Sequence, residues 1–269
     1  MNENLERLRS VIGDIGPQAV AVSGGVDSMT LAVVAHQELQ EDVRMLHAVS
    51  PAVPGHASER VRHYAGRMGW RLEVIDAGEF ADPGYLSNPH DRCLYCKTNL
   101  YSTMAGIVDC VLVSGTNSDD LGDYRPGLQA AARHGVRHPY VEAGMDKAAV
   151  RAVARELALP DLAELPASPC LSSRVETGIR IDPGVLGAIY RAEKLIRREL
   201  APETARCRIR SEAIVVELDS HSMAAMDTLT AENLRHEIGE LLSAAGVPHP
   251  VAFECYRMGS AFLRPADGS

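Results

Sequence analysis

The hydrophobic positions in the first half of the chain switch between helical spacing and short continuous runs. Leu5, Leu8 and Ile12 recur at intervals of three and four, which predicts a helix, whereas unbroken apolar runs are typical of buried parallel strands. An unbroken apolar run predicts a strand at 19–22, and mostly apolar segments predict strands at 43–49, 71–75, 109–114 and 138–141. Helices are predicted to begin near Ser28, to span 58–68 and to run from an Asp146 cap to about 157. Strands that alternate with helices predict an α/β fold, a doubly wound parallel sheet with right-handed crossovers.

Prolines interrupt this pattern between 159 and 169 and predict a domain boundary. We therefore expect a larger domain at 1–165 and a second, smaller α/β domain at 166–269. In the second domain, Asp182 followed by Pro183 predicts a helix with the aspartate as its N-cap. Strand-like runs at 207–210, 213–218 and 251–255 and a helical pattern at 232–244 complete this domain.

The turn after the first predicted strand reads Ser23-Gly24-Gly25-Val26-Asp27-Ser28. Glycines allow the amides of residues 24–26 to point inward together, and the N-terminal end of the following helix adds positive potential, so the turn is suited to pyrophosphate. The lysine-containing Walker sequence is absent. The alternative is an ordinary turn rich in serine and glycine. A carboxylate beside phosphate needs a partner, so we expect Asp27 to cap helix amides or, failing that, to touch a bound cation.

Ligands of doubly wound sheets bind at the carboxyl ends of the strands. Ser23, Ser50, Gly115 and Thr116 all follow predicted strands. We expect their loops to converge on one nucleotide.

Charge and composition narrow the range of partners. The chain has 269 residues, 46% of them hydrophobic, and a formal net charge of −9, which argues against a general nucleic-acid-binding surface. Basic residues concentrate between 191 and 210, where they either hold a phosphorylated small molecule or form a solvated helix face. The first residues have no apolar signal core and no stretch is apolar enough to cross a bilayer, so we expect a cytoplasmic protein without membrane contact.

Three of the six cysteines are candidates for chemistry. Cys93 and Cys96 are close enough in sequence to share a metal, and Cys170 follows a proline just beyond the predicted nucleotide domain. Together they could hold an iron–sulfur cluster with one open iron, or three corners of a zinc site with His90 as the fourth. The alternatives are a packed or redox-active Cys93–Cys96 pair and a lone nucleophile at Cys170. The other three, Cys110, Cys207 and Cys255, fall in strand-like runs and are predicted to be core residues.

The turn at 23–28 resembles the PP-loop of the ATP pyrophosphatases. Taken with the segments 88–97, 115–127 and 168–174, it makes most of the chain similar to the LarE family, the sulfur transferases of nickel-pincer cofactor synthesis. The resemblance implies a Rossmann-like nucleotide domain and an enzyme that adenylates a carboxylate on a pyridinium mononucleotide, releases pyrophosphate and forms a thiocarboxylate. It further implies a small-molecule nucleotide substrate, a sulfide or other sulfur donor, no nucleic acid and a homo-oligomer.

The resemblance also implies roles for individual residues. ATP and Mg²⁺ would contact Ser23, Gly24, Gly25, Val26, Asp27, Ser28, Ser50, Gly115, Thr116, Asp120 and Arg125. Some family members give up the sulfur of one cysteine, here Cys170, whereas others carry three cysteines and a 4Fe-4S cluster that holds sulfide. Cys93, Cys96 and Cys170 favour the cluster type. Glu193 matches an acidic residue near the substrate, and Arg208 and Arg210 match a pair that binds the substrate phosphate.

The same family has a Tyr-Arg-x-Gly-Ser motif, which this chain matches at 256–260. Departures occur at 175–177, which lacks an aromatic residue, and at Phe253-Glu254, where aspartate is usual. These departures bear on the substrate more than on the reaction. Two other functions remain open: a tRNA thiolase, which the acidic balance disfavours, and a regulatory nucleotide-binding module without turnover.

Overall fold

The computed structural model describes residues 3–122 and 126–257. Its strands are β1 (Gln18–Ala21), β2 (Val43–Ala48), β3 (Leu72–Ile75), β4 (Val111–Ser114), β5 (Ala205–Ile209), β6 (Ile214–Leu218) and β7 (Val251–Cys255). Its α-helices are α1 (Glu3–Ile15), α2 (Val26–Leu39), α3 (Gly55–Met68), α4 (Pro83–Leu86), α5 (Arg92–Ala105), α6 (Pro126–Arg133), α7 (Pro139–Glu142), α8 (Lys147–Glu156), α9 (Pro160–Ala163), α10 (Pro183–Leu200), α11 (Ser220–Ala225) and α12 (Thr228–Ser243).

The chain forms two compact units. The first comprises Met1–Asp82 and Cys93–Ser168, and the second comprises Pro83–Arg92 and Pro169–Ser269. The second unit thus includes a short segment that lies early in the sequence. In the described residues, no helix is both long enough and apolar enough to span a membrane.

The first unit is built on a four-stranded parallel sheet in the order β3-β2-β1-β4. Both faces of this sheet are covered, as the doubly wound prediction requires. Val20 and its neighbours Met45 and Val113 point to a core shared with α1, α2, α3 and α8. Ala19 and Leu112 point to the opposite core, which α5 and α6 cover. The predicted α/β fold class is confirmed.

The predicted fifth strand at 138–141 is wrong. Its residues form α7, and strand pairing is reduced to a bridge between Val113 and Arg137. Pro139 accounts for the difference, because it has no N–H to donate to a sheet and its fixed φ suits the first position of a helix.

The second unit has a mixed sheet in the order β5-β6-β7, with β5 and β6 antiparallel and β6 and β7 parallel. Asp182 caps α10 as predicted, since its side chain accepts a hydrogen bond from the amide of Val185 at 3.0 Å. The helix predicted at 232–244 begins earlier, because Asp227 caps it by accepting from the amide of Thr230.

Candidate functional site

The loop between β1 and α2 is held in shape by its own serines. The hydroxyl of Ser28 accepts a hydrogen bond from the amide of Ser23 at 3.0 Å, and the two serine hydroxyls lie 3.0 Å apart. Gly24 has φ of +84°, and a Cβ there would lie 2.6 Å from the carbonyl oxygen of Ala57. Only glycine therefore fits this position without a shift of α3.

The loop after β4 passes directly against the start of α2. A Cβ on Gly115 would lie 2.8 Å from the amide nitrogen of Ser28, so the missing side chain permits this close contact. Thr116 follows, and its hydroxyl lies 3.1 Å from that of Ser114. Ser50 lies just beyond the carboxyl end of β2, where its hydroxyl accepts from the amide of Ala52. Three of the predicted loops thus follow neighbouring strands of the same parallel sheet.

Two residues that no sequence motif indicated, Arg60 and His47, stabilise the loop at 23–28. A guanidinium nitrogen of Arg60 donates to the carbonyl of Gly24 at 2.7 Å. The imidazole of His47 is fully buried, with Nδ1 2.8 Å from the carbonyl of Val22 and Nε2 2.8 Å from the hydroxyl of Ser58. Because a carbonyl only accepts, Nδ1 carries the proton and Nε2 accepts from the serine. Burial lowers the pKa of His47, so it is neutral at pH 7.

Asp27 does not cap α2, contrary to the prediction. Gly25 occupies the N-cap position without a side-chain bond. The Asp27 carboxylate instead accepts from the side-chain amide of Asn117 at 3.3 Å and forms an ion pair with the ammonium of Lys147. The hydroxyl of the buried Tyr140 donates to the Asp27 carbonyl at 2.9 Å. The partner of this carboxylate is therefore a cation from the chain itself.

Asp120 has a local structural role in the loop after β4. Its carboxylate accepts from the amide of Asn117 at 3.1 Å, while the Asn117 side chain accepts from the amide of Asp119 at 3.1 Å. This reciprocal capping starts a short 3-10 helix at Ser118–Leu121. Arg125 lies outside the described residues.

Cys93 and Cys96 lie among the first five residues of α5, within the first unit. Residues three positions apart in a helix share a face, so both thiols lie on one side of α5. Cys93 is exposed and Cys96 is half-buried. Helix α6 approaches this turn closely at Gly127, where a Cβ would lie 2.9 Å from Cγ of Lys97.

Cys170 belongs to the second unit and its side chain is exposed. Its backbone, in contrast, is pinned. The carbonyl of Cys170 accepts from the hydroxyl of Ser173 at 2.7 Å and from the guanidinium of Arg174 at 3.1 Å. Arg174 also donates to the carbonyl of Pro169 at 2.6 Å. The arrangement presents a thiol to solvent from a rigid support.

Glu193 is buried and bound on several sides. Its two carboxylate oxygens accept from Arg174 at 2.8 and 3.1 Å, and one of them also accepts from the amide of Cys207 at 3.1 Å. Cys207 lies in the edge strand β5, so Glu193 satisfies an amide that no neighbouring strand pairs. In this structure Glu193 connects the Cys170 segment to the sheet.

The two arginines assigned to substrate phosphate lie close to one carboxylate. Arg208 donates to Glu217 at 2.7 Å and to the carbonyl of Ser173 at 3.0 Å. Arg210 donates to Glu217 at 3.3 Å and to Glu254 at 3.3 Å. Its buried Nε has no partner among the described residues. Both guanidinium groups therefore approach the buried Glu217, and Arg210 approaches Glu254 as well.

The three remaining cysteines differ from one another. Cys207 is buried as predicted, and burial raises the pKa of its thiol. Cys110 is only half-buried, and Cys255 is exposed, so the prediction of a core position is wrong for Cys255. Cys255 ends the edge strand β7, whose last two residues are both exposed.

Metal binding by three thiols remains a prediction, because Cys93 and Cys96 belong to the first unit and Cys170 to the second. Within the described part of either unit, no three histidine, cysteine, aspartate or glutamate side chains are arranged to hold a metal ion. His90, the candidate fourth zinc ligand, is exposed and belongs to the second unit.

Comparison with known proteins identifies three relatives. An uncharacterized protein of Synechocystis is 37% identical over 202 residues, which cover 74% of this chain and 75% of that protein. The pyridinium-3,5-bisthiocarboxylic acid mononucleotide synthase of Lactiplantibacillus plantarum is 29% identical over 216 residues, 78% of each chain. An uncharacterized protein of Methanocaldococcus jannaschii is 26% identical over 182 residues, 66% of this chain and 68% of that protein. No protein-family model matches the chain.

Proposed function

The chain belongs to the family of the Synechocystis protein and is a homologue of a LarE synthase, and we propose that it is a sulfur transferase of nickel-pincer cofactor synthesis. We infer that it uses ATP to activate a carboxylate of a pyridinium dicarboxylate mononucleotide and replaces one carboxylate oxygen with sulfur. The observation that carries the ATP requirement is the loop at 23–28, with its φ of +84° at Gly24 and its contact with Gly115.

In the first step, a carboxylate oxygen of the substrate attacks the α-phosphorus of ATP. The bond from the α-phosphorus to the bridging oxygen breaks, and pyrophosphate leaves with that oxygen. The amides at the start of α2 have no acceptor within the helix, so they are available to the departing phosphates. Arg60 of α3 donates a hydrogen bond to the Gly24 carbonyl. This bond fixes the loop that precedes these amides.

Mg²⁺ fits the donor chemistry of Asp27. Its carboxylate supplies the hard oxygen ligands that Mg²⁺ prefers, and its side chain is 26% exposed, so it is accessible from solvent. Bound there, the ion would neutralise charge on the pyrophosphate. Asn117 orients the same carboxylate through its side-chain amide.

In the second step, a sulfur nucleophile attacks the activated carbonyl carbon, and the bond from that carbon to the AMP oxygen breaks. The nucleophile in this proposal is sulfide, and the exposed Cys170, whose backbone Arg174 and Ser173 fix, is one of the thiols proposed below to bind the group that delivers it. Glu193 acts through Arg174 and is a positioning residue for Cys170.

We further propose that Cys93, Cys96 and Cys170 hold a 4Fe-4S cluster, which would supply an open iron for sulfide from an external donor. Their residue type suits iron, since thiolates are the usual cluster ligands. Cys93 and Cys96 support it by lying on one face of α5 near the start of that helix.

Substrate phosphate binding is assigned to Arg208 and Arg210. Glu217 is the buried carboxylate that both arginines contact, and Arg210 also contacts the exposed Glu254. The unpaired Nε of Arg210 adds a donor. Guanidinium groups of this kind bind phosphate oxygens through paired hydrogen bonds.

The proposed activation step is tested by isotope exchange. Protein purified without oxygen is incubated with ATP, Mg²⁺, labelled pyrophosphate and a pyridinium dicarboxylate mononucleotide. We expect label to enter ATP only when the mononucleotide is present, because adenylation is reversible. Exchange without any carboxylate, or exchange that depends on tRNA instead, would contradict the proposal.

A further inference from the structure

Lys147 contributes a cation to the loop at 23–28 from a helix that is distant in sequence but adjacent in the fold. It is the first residue of α8, and its ammonium contacts the carboxylate of Asp27 in the first turn of α2. Only three of the chain's 27 basic residues are lysines, and one of them lies here. The phosphate-binding loop itself contains no lysine.

The backbone of Lys147 is fixed by its surroundings. Its amide donates to the carboxylate of Asp119 at 3.1 Å, and the carbonyl of the nearby Met145 accepts from the amide of Ser118 at 2.9 Å. Asp146 caps the helix by accepting from the amide of Ala149 at 2.7 Å. The start of α8 is thus bound to the loop after β4, so a change of partner by the Lys147 ammonium needs rotation of the side chain and no shift of the helix.

The ion pair is only partly shielded from solvent. The Lys147 side chain is 36% exposed and the Asp27 side chain 26% exposed. A pair in this setting contributes little to stability, because water and salt screen the attraction. A function in the loop therefore accounts for the pair better than a contribution to folding.

Charge balance indicates what that function is. A carboxylate beside incoming phosphates repels them, and Lys147 cancels this charge before a nucleotide arrives. An ammonium on a four-carbon stem can turn to a new partner with little change in the backbone. Phosphate oxygens of a nucleotide carry more negative charge than one carboxylate and compete for it.

We propose that Lys147 is the phosphate-binding lysine of this loop, pairing with Asp27 in the nucleotide-free protein and turning to the β- and γ-phosphates when ATP binds. The exchange frees an oxygen of Asp27 for the divalent cation that accompanies ATP. This inference rests on the proposed use of ATP, and no covalent bond changes in it.

Calorimetric titration with ATP and with AMP, both with Mg²⁺, tests the assignment without any turnover. We expect Lys147→Met to weaken ATP binding by about tenfold to a hundredfold, the usual effect of losing a hydrogen bond to a charged group. AMP binding should change much less, because AMP has no β- or γ-phosphate. Lys147→Arg keeps the charge and should retain ATP binding to within a few-fold.

Arg155→Met is the matched control. Arg155 lies on the same helix and is paired with Glu164, but at the exposed far end. Its replacement should leave ATP binding unchanged. If Lys147→Met binds ATP as tightly as wild type, or loses ATP and AMP equally, the assignment is overturned. Failure of the wild-type protein to bind ATP at all would instead overturn the proposed function.

Discussion

Arg174 and Glu193 form a bidentate ion pair, with N–O distances of 2.8 and 3.1 Å and side chains only 2% and 8% exposed. The same guanidinium donates to the carbonyls of Pro169 and Cys170. The pair therefore couples the support of an exposed thiol to a buried carboxylate of α10.

Glu193→Ala should destabilise the protein by about 3–5 kcal/mol, because it leaves the Arg174 guanidinium buried without its charge partner. The loss would be measured as a decrease in the free energy of unfolding of the second unit in a urea titration. Glu164→Ala is the control, since Glu164 pairs with Arg155 on an exposed surface and should cost less than about 1 kcal/mol. Equal losses of unfolding free energy in the two variants would show that the buried pair contributes no more to stability than the exposed pair.

Gly24→Ala should abolish high-affinity ATP binding. The added methyl would meet the carbonyl of Ala57, and the φ of +84° is unfavourable for alanine. Gly13→Ala provides the comparison, because Gly13 lies inside α1 with open space around it. That variant should bind ATP normally and gain about 0.5–1 kcal/mol of stability. Normal binding by Gly24→Ala would contradict the geometry described for the loop.

Stability should fall as the pH is lowered from about 6.5. The pKa of His47 lies below its ordinary value of 6.5 because of burial, so the unfolded chain binds a proton that the folded protein resists. Stability therefore rises with pH between the lowered pKa and 6.5 and is fully present above 6.5. The slope is at most about 1.4 kcal/mol per pH unit for each histidine.

The His47→Asn variant isolates this contribution. An asparagine amide can replace Nδ1–H as the donor to Val22, but it does not titrate. The free energy of unfolding is measured with urea at pH 7.5 and 5.5. It should change less between these pH values in the variant, because one titrating group is absent. The dependence that remains belongs in part to His138, whose pKa burial also lowers. An unchanged slope would rule out His47 as the titrating group.

Protein purified without oxygen should contain iron and sulfide and absorb broadly near about 400 nm, where thiolate-to-iron charge transfer falls. Cys93→Ser and Cys170→Ser should each lower the iron content, whereas Cys255→Ser should not, since the exposed Cys255 is not among the assigned ligands. Iron-free protein that loses about one sulfur atom from Cys170 per turnover would instead identify the sacrificial route.

Local sequence was sufficient to predict much of the first unit. The apolar run at 19–22 and the mostly apolar segments at 43–49 and 109–114 place β1, β2 and β4 nearly where they occur, and the glycines and serines at 23–28 indicate the loop after β1. Such features depend on neighbouring residues, which is why the sequence reveals them. The segment 138–141 is mostly apolar, as a strand would be, but it forms a helix because Pro139 favours the first position of a helix and cannot donate to a sheet.

The partners of the site residues could not be predicted in this way. Lys147 and Asp27 are 120 positions apart, and nothing in the sequence around either residue indicates the other. The same is true of His47, which resembles any other residue of a strand until its bonds to Val22 and Ser58 are seen. Exposure at Cys255 depends on β7 being an edge strand, a property of the sheet order and not of local pattern.

One anaerobic assay measures whether the chain couples ATP cleavage to the proposed sulfur transfer. Wild type and Asp27→Asn are incubated with ATP, Mg²⁺, sulfide and a pyridinium dicarboxylate mononucleotide, and the products are resolved by mass. We predict one AMP and one pyrophosphate for each carboxylate oxygen replaced by sulfur, with all three products lost in the variant. A thiocarboxylate formed without AMP, or AMP formed equally by both proteins, would show that ATP cleavage at the loop of Asp27 does not drive the sulfur transfer.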